Sequence, residues 1–548
     1  MGERMLTPDV LVIGGGATGA GLLRDLARRG LRCLLVDRSD FGTGTSGRYH
    51  GLLHSGGRYV SKDPSAAREC IVENQVLRRI AAGCIEDTGG IFVATPDDPD
   101  DYVDAFPGAC AAAGIDCDEI PVTETLRREP ALSPAIRRAF RVPDAALEPW
   151  QLIEANLADA RAHGADAWPY QRVVAIQRDG RRISGVTVRD ERSGASTRVV
   201  PRMIASAAGA WAGQVAALAG VELMMSPGKG TMIVYNQRMT DTVVNRCHPP
   251  GDGDIMVPVH TVAILGTTEE LVEDPDDDET SSDEVQALIN EGEALFPALR
   301  RMRVLRAYTG VRPLYRDPAV QGPEASDDGR AISRSHIILD HEARDGVEGL
   351  ISIVGGKLTT YRLMAEQAAN AVCAKLGMSE PCTTAGEPLP GMGDSRAHWL
   401  GHRLAEHEDR GGGDADLICE CEMVTRAMLE RFLDRRGPCS IDDIRRGTRL
   451  GMGPCQGGFC TFRAAAIMAE RAPDGHTDRA APGGSASDPE GALSTFLNER
   501  SKGTRAVAWG RQLQELWMVT GIYVGVMGLE GSSSEHGGEA TEDHGAVS

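Results

Sequence analysis

Lysine is almost missing from this chain. Five residues (Lys62, Lys229, Lys357, Lys375 and Lys502) stand beside 53 arginines in 548 residues. Basic charge as a whole is also short: 79 acidic side chains against 58 basic ones leave a formal net charge of −21. That balance excludes the basic footprint of a nucleic-acid binder. Long apolar runs are absent too. The longest nearly uninterrupted one, Leu516 to Leu529, is 14 residues with three glycines, short of the roughly 20 a membrane-spanning helix needs. The N-terminus lacks the apolar stretch and small-residue cleavage site of a signal peptide, so the expectation is a cytoplasmic chain. Thirteen cysteines, an odd number in such a chain, argue against a disulfide framework.

What is present is enough for large cores. Hydrophobic residues make up 41% and charged residues 25%, which excludes a disordered chain, and the length predicts two or three domains. Val10–Ile13 reads as a buried strand, Ala17–Arg29 as a helix stopped by Gly30, and Cys33–Val36 as a second strand ending in Asp37. Asp63-Pro64 opens a helix through Ile80. Residues 85–150 mix short strands with Pro/Asp loops. Trp168–Val188 resembles a β-meander, and Met203–Ala208 is a further strand. Residues 221–330 read as a β-rich insertion whose acidic stretch, Glu273 to Glu279, is expected to be a solvated loop. A last strand, Leu350–Val354, leads through Gly355-Gly356-Lys357 into a helix from Thr359 to Leu376. Residues 391–413 read as a linker, 414–472 as a small cysteine-bearing domain, 473–490 as a flexible linker, 491–530 as a helical segment and 531–548 as a disordered tail.

Gly14-x-Gly16-x-x-Gly19 between strand and helix lets the backbone turn tightly and approach a pyrophosphate at the helix N-terminus. Asp37 lies 18 residues after Gly19, close to the spacing of a ribose-binding carboxylate. Together these predict a dinucleotide site built from Gly14, Gly15, Gly16, Ala17, Thr18, Gly19, Asp37 and Arg38, without separating NAD from FAD. Two later strands end in small residues, Ala208-Gly209 and Gly355-Gly356, which suits backbone laid against a flat ring. The second runs into a helix whose positive end would stabilise a reduced flavin. Both features favour FAD.

Cys419-x-Cys421 and Cys455-x4-Cys460 offer four thiolates for an iron–sulfur cluster or a zinc ion. Neither pair has the CxxC spacing of a zinc ribbon. The pattern resembles the ferredoxin-like domain of bacterioferritin-associated ferredoxin, which implies a 2Fe–2S cluster. Gly451, Gly453, Gly457 and Gly458 would let backbone amides reach its sulfurs. Cys439 and the other eight cysteines read as buried thiols.

The run Thr43-Gly44-Thr45-Ser46-Gly47-Arg48-Tyr49-His50-Gly51-Leu52-Leu53-His54-Ser55-Gly56-Gly57-Arg58-Tyr59 resembles the flavin loop of FAD-dependent glycerol-3-phosphate dehydrogenases. Gly310-Val311-Arg312-Pro313-Leu314 and Gly355 to Arg362 are similar to two further motifs of that family. Ala67–Arg79 and Leu305–Leu314 resemble in particular the A subunit of its anaerobic members. Asp37 departs mildly, standing where many relatives use Glu. The acidic, lysine-poor composition resembles proteins of salt-loving archaea, although a high-GC genome also enriches arginine.

The resemblance implies an α/β fold: an FAD-binding Rossmann-like domain of the D-amino-acid-oxidase type over residues 8–380, with an interleaved β-rich substrate domain (segments about 85–150 and 221–330). It further implies oxidation of sn-glycerol 3-phosphate to dihydroxyacetone phosphate, and B and C partner subunits that pass electrons to a membrane quinone and hold the chain peripherally at the inner face of the membrane. Thr45, Ser46, Gly47, His50, Gly51, Leu53, Leu358 and Thr359 join the flavin contacts. Arg58, Tyr59, Lys357 and Arg334 are the candidates for the substrate phosphate, Arg312 for orienting the C2 hydroxyl, and His54 for the general base. Two alternatives share these motifs: an FAD/2Fe–2S amino-acid or opine dehydrogenase, and a non-catalytic iron–sulfur electron carrier. Residues 509–529 either dock on a partner or membrane surface or pack back on their own domain, the second reading being preferred.

Overall fold

The computed structural model describes residues 5–316, 329–393, 400–409, 416–437, 439–471 and 489–526. A six-stranded sheet lies at its centre, in the order Asp166–Trp168, Cys33–Val36, Val10–Ile13, Met203–Ser206, Leu350–Gly355 and His336–Asp340. All neighbours pair in parallel except the last two. Val10–Ile13 and Cys33–Val36 are continuous apolar runs because both faces are covered. The helix Ala17–Arg28 packs one face against the helices Pro149–Ala162 and Tyr361–Leu376. The predicted meander is a long hairpin, Gln171–Asp179 with Arg182–Asp190, extended by Ser196–Val199.

A nine-stranded sheet forms the second core. It joins strands from the two separated segments, since Val243–Arg246 pairs in parallel with Gly90–Ala94. Residues 100–128 are more helical than their sequence suggests. Asp100–Ala113 is helical despite an internal Pro107, because burying Val103, Phe106 and Cys110 in an aromatic cluster outweighs the lost backbone hydrogen bond.

A third core holds the small cysteine-bearing domain. Helices Pro489–Arg505 and Gly510–Thr520 pack against it, with Phe496 and Tyr523 buried and the Tyr523 hydroxyl donating to Gly457 O at 3.1 Å. The C-terminal segment therefore packs back on this domain, although Trp517 remains 71% exposed. The predicted 391–413 linker contains a helix, Leu400–Asp409. Residues 394–399, 410–415, 472–488, 527–530 and the 531–548 tail lie outside the described residues. Among the described residues, no helix is long and apolar enough to cross a membrane.

Candidate active site and cluster centre

The three fingerprint glycines serve two purposes. Gly14 has φ +107°, and a Cβ there would sit 2.5 Å from Ala207 O; one on Gly19 would sit 1.8 Å from Gly14 O. These two pack turn, strand and helix together. Gly14 and Gly16 also line a cavity of about 1210 Å³, where a pyrophosphate can approach their backbone. Asp37 accepts from the Gly15 amide at 2.6 Å and the Ser39 amide at 2.8 Å. Burial nevertheless pushes its carboxyl above the ordinary value. It faces the same cavity and retains acceptor capacity for a ribose hydroxyl.

Most of the predicted site residues converge here. Gly14, Gly16, Ala17, Thr18, Asp37, Arg38, Thr45, Ser46, His50, His54, Arg58, Tyr59, Ala208, Gly209, Arg312, Arg334, Gly355, Gly356, Lys357, Leu358 and Thr359 all line the cavity. Gly15, Gly19, Gly47, Gly51 and Leu53 do not. A Cβ on Gly47 would strike Gly42 O at 2.0 Å, so that glycine serves loop packing. Leu53 is fully buried in the core beneath the loop. The volume exceeds the usual range of about 300–1,000 Å³ for a small-ligand pocket, as a dinucleotide plus a substrate requires.

The acidic stretch 273–279 is not merely a solvated loop. Asp276 pairs with Arg38 at 2.5 Å and accepts from Trp211 Nε1 at 2.9 Å, while Asp278 pairs with Arg48 at 2.5 Å. These contacts hold the stretch at the wall of the cavity, where Pro275, Asp276 and Asp278 line it. Like charges along a sequence signal solvation; partners as distant in the chain as Arg38, Arg48 and Trp211 cannot be seen there.

Nine cationic side chains line the cavity: Arg38, Arg48, Lys62 and Arg172, and with them Arg58, Arg312, Arg330, Arg334 and Lys357. Arg58 lies 2.8 Å from Asp254. Burial opposes ionisation of Asp254, but Arg58 and His248 outweigh it and hold the carboxyl down to about 2. Arg312 and Arg334 share Glu269 at 2.8 and 2.9 Å. Arg330 pairs with Asp252. Lys357 differs: its Nζ donates to Arg334 O at 2.9 Å and stands 5.2 Å from the Tyr59 ring centre. Among the described residues it has no carboxylate within ion-pair distance. Asp254, Glu269, Asp252 and Arg330 were invisible as site residues in the sequence, because each lies in the insertion outside any motif.

His54 packs between two rings, 5.7 Å from His50 and 5.5 Å from Tyr59 between centres. Its amide donates to Thr359 Oγ1 at 3.2 Å, and its carbonyl accepts from Asn74 Nδ2 at 3.1 Å. Burial, then His50, Arg58 and Lys357, push the imidazole well below its ordinary range. It is therefore neutral and able to accept a proton. His50 is driven to about 3 by burial and by Arg312 and Arg58, and its Nδ1 accepts from the Leu52 amide at 3.2 Å.

The four predicted cluster cysteines also meet. Cys419 ends a short strand and Cys460 opens the helix Cys460–Glu470. Their thiols form a chain of contacts from Cys421 to Cys455 to Cys460 to Cys419. The amides of Gly451 and Glu422 reach Cys419, and those of Gly457 and Gly458 reach Cys455. The same thiol contacts lower Cys419 and Cys455 and raise Cys421 and Cys460, so the four sulfurs titrate as one set. A Cβ on Gly453 would lie 2.4 Å from Cys421 Cβ, so only glycine fits against the ligand loop. Cys439 is buried apart from the four, its thiol pushed up to about 12 by burial. Among the remaining eight, Cys117 and Cys382 are only partly buried.

Buried charges clamp this domain to the other two. Arg449 reaches Glu422 at 2.9 Å and also pairs with Glu148 at the start of the helix Pro149–Ala162. His260, between two strands of the nine-stranded sheet, lies 3.2 Å from Glu422. The Tyr170 hydroxyl donates to Asp443 at 2.6 Å.

Comparison with known proteins places these features. Residues 9–362 match the family model of FAD dependent oxidoreductases, and residues 417–470 that of the BFD-like [2Fe-2S] binding domain. The A subunit of the anaerobic glycerol-3-phosphate dehydrogenase of Escherichia coli is 42% identical over 95% of this chain and 97% of its own length. The A1 subunit of the Haloferax volcanii enzyme is 42% identical over 93% and 89%. Among solved structures, the glycerol-3-phosphate dehydrogenase from Bacillus halodurans complexed with FAD superposes with a TM-score of 0.60 at 20% identity, covering 94% of this chain and 95% of that one. The glycine oxidase from Geobacillus kaustophilus gives 0.54 at 20% identity over 70% and 99%. At such identities these two establish the fold alone. The fold is thus the expected α/β one, with FAD and a 2Fe–2S cluster as its cofactors.

Proposed function

The chain belongs to the family of anaerobic glycerol-3-phosphate dehydrogenase A subunits, and from that premise we propose that it oxidises sn-glycerol 3-phosphate to dihydroxyacetone phosphate and hands the electrons to partner subunits. Bound FAD supplies the acceptor for the hydride leaving C2, and the cluster supplies a one-electron station beyond it. The chain's own residues do the rest.

Lys357 carries the reading. It is a cation lining the cavity with a carbonyl and an aromatic face for company and, among the described residues, no carboxylate within ion-pair distance. A phosphate dianion supplies the missing counter-charge. Arg58, already oriented by Asp254, adds a planar fork for two phosphate oxygens, and Tyr59 closes the side of the pocket. Arg312, held by Glu269 and by the Thr267 hydroxyl at 2.6 Å, orients the C2 hydroxyl and stabilises the alkoxide that develops on it. His54 takes the hydroxyl proton. The arriving dianion offsets the charges of Arg58 and Lys357 that depress this imidazole, so substrate binding itself raises the basicity of the base.

A net charge of −21 repels a dianion at long range. In molar salt the Debye length is about 3 Å, which silences the distant acids and leaves the pocket's direct contacts. The electron acceptor we propose is a membrane quinone, reached through B and C subunits that also hold the chain at the inner membrane face.

The test is an anaerobic absorbance titration of the holoprotein with glycerol 3-phosphate, using glycerol as the control. Bleaching of the flavin band by the phosphate ester alone is the expected result. A flavin that bleaches with amino acids instead, and not with the ester, overturns the substrate assignment.

A further inference from the structure

A second cavity, of about 460 Å³, lies where the flavin loop, the nine-stranded sheet, the cluster domain and the C-terminal helix meet. Nothing in the proposed reaction uses it. Its character is opposite to that of the whole protein. Basic side chains outnumber acidic ones seven to four among its lining residues, in a chain whose net charge is −21. Val234, Val259, Val262 and Ile264 give it an apolar floor, so positive charge here is poorly screened.

Arg306 is the centre of the anomaly. It projects from the strand Val304–Arg312 into this cavity, its guanidinium 5.2 Å from the Tyr308 ring centre. Arg58, Arg312, Arg334, Arg362 and Arg449, all buried or half-buried, each have a carboxylate within ion-pair distance. Among the described residues, Arg306 has none within ion-pair distance, and its Nε is buried without a hydrogen-bond acceptor. Arg445, from the cluster domain's helix Ile441–Thr448, lines the same cavity. Asp442 satisfies one end of it at 3.0 Å, but its Nε is likewise without an acceptor. Arg500, on the C-terminal helix, is the third: it donates to Cys455 O at 3.3 Å and its Nε too lacks an acceptor. Burial, and then repulsion from Arg445 and Arg500, pull the Arg306 guanidinium down to about 10.

Three guanidinium groups from three different parts of the chain, brought together with orphaned donors and repelling one another, are costly for the fold alone. An oxyanion resolves both costs at once. Its oxygens accept from the Nε atoms and its charge cancels the repulsion. We propose that this interdomain cavity is a binding site for a phosphate-class oxyanion, held by Arg306 and Arg445 with Arg500 behind them, and separate from the substrate pocket of Arg58 and Lys357. The ligand is inorganic phosphate or the phosphate group of a small ester; both present the same oxygens to the same fork. An occupant would tie the substrate-domain strand to the cluster-domain helix.

Equilibrium dialysis of the FAD- and cluster-loaded protein against radiolabelled inorganic phosphate, at fixed potassium chloride, counts the sites. Wild type is expected to bind two equivalents. Lys357→Met should lose the substrate-pocket equivalent and keep the other. Arg306→Met, which replaces a cation by an apolar side chain of similar length, should keep the first and weaken the second at least tenfold, with the KM for glycerol 3-phosphate unchanged. Arg445→Met serves as the second variant should Arg306→Met fold poorly. Repeating the dialysis with dihydroxyacetone phosphate in competition separates the sources: displacement at the Arg306 site at lower concentration than phosphate itself assigns it to the ester. In the Lys357→Met background, phosphate should raise the melting temperature. A single equivalent in wild type that vanishes in Lys357→Met, or two equivalents that persist with unaltered affinity in both arginine variants, sinks the proposal.

Discussion

The guanidinium of Arg312 lies 2.8 Å from the carboxylate of Glu269, a residue whose side chain is only 3% exposed. Burial and the arginines Arg334 and Arg330 pull Arg312 down to about 10, and Glu269 is the group that opposes them. One carboxylate thus holds two cavity arginines in place. Glu269→Gln keeps the shape and removes that anchor. We expect kcat to fall about tenfold or more, about 1.4 kcal/mol or more of transition-state stabilisation. KM should hold or fall, because the pocket gains net positive charge toward a dianion. Steady-state kinetics on the flavin-loaded variant reads the split; a change confined to KM contradicts it.

His54→Gln removes the proton acceptor while preserving bulk. The expected loss is roughly 10²–10⁴-fold in kcat, the usual worth of a positioned general base, with flavin content unchanged. The same imidazole should be neutral in free protein well below pH 6.5. A histidine NMR difference spectrum between wild type and this variant checks that; a signal titrating at an ordinary value contradicts the burial argument.

Lys357→Met and Arg58→Met should each raise KM for glycerol 3-phosphate strongly, since a hydrogen bond to a charged group is worth about 1.5–3 kcal/mol. Arg58→Met carries a second cost: buried Asp254 loses its arginine and keeps only His248 at 2.6 Å and the Gly251 amide, a destabilisation of up to about 3 kcal/mol, the lower end for breaking a buried pair. Lys357→Met strands nothing. Its melting temperature should therefore stay near wild type while that of Arg58→Met falls.

Asp254 also gives a stability prediction against pH. Its folded value, about 2, is depressed below the ordinary 3.8. Its stabilising contribution is therefore present above about pH 4 and is lost as pH falls toward 2, amounting to about 2 kcal/mol. Asp254→Asn should flatten the acid limb of an unfolding curve over that window. An unchanged limb contradicts the pairing with Arg58.

In the cluster domain, Cys455→Ser should abolish the 2Fe–2S absorbance and electron-paramagnetic signal and leave flavin content intact. Arg449→Met should leave both cofactors in place and loosen the domain. The cluster persists, but Glu422 and Glu148 lose their shared buried partner, and limited proteolysis should release the cysteine domain faster than in wild type.

The two cofactor sites were legible because each is carried by short-range pattern. A glycine turn must follow a strand and precede a helix, and four cysteines must be spaced so that their thiols can meet. The mononucleotide opening, the helix capped by Asp63, the strand ending at Gly355 and the cluster cysteines all stand where the sequence puts them. Leu53 and Gly47 were assigned to the flavin by the company they keep in a motif, yet the side chain of the first and the missing side chain of the second serve packing. A motif records which residues travel together and not which of them face the ligand.

What the sequence by itself determined is therefore the local backbone chemistry: which turns can hold a phosphate, which strands are buried on both faces, and which thiols are spaced for a cluster. What only the tertiary structure decided is the pairing of charges. Glu269 and Asp254 orient the cavity arginines, Asp276 and Asp278 hold the acidic stretch against Arg38 and Arg48, and Arg449 locks the cluster domain to its neighbours. Partners in such pairs are up to 301 residues apart. Their attraction depends on distance and on exclusion of water, and neither exists until the chain has folded.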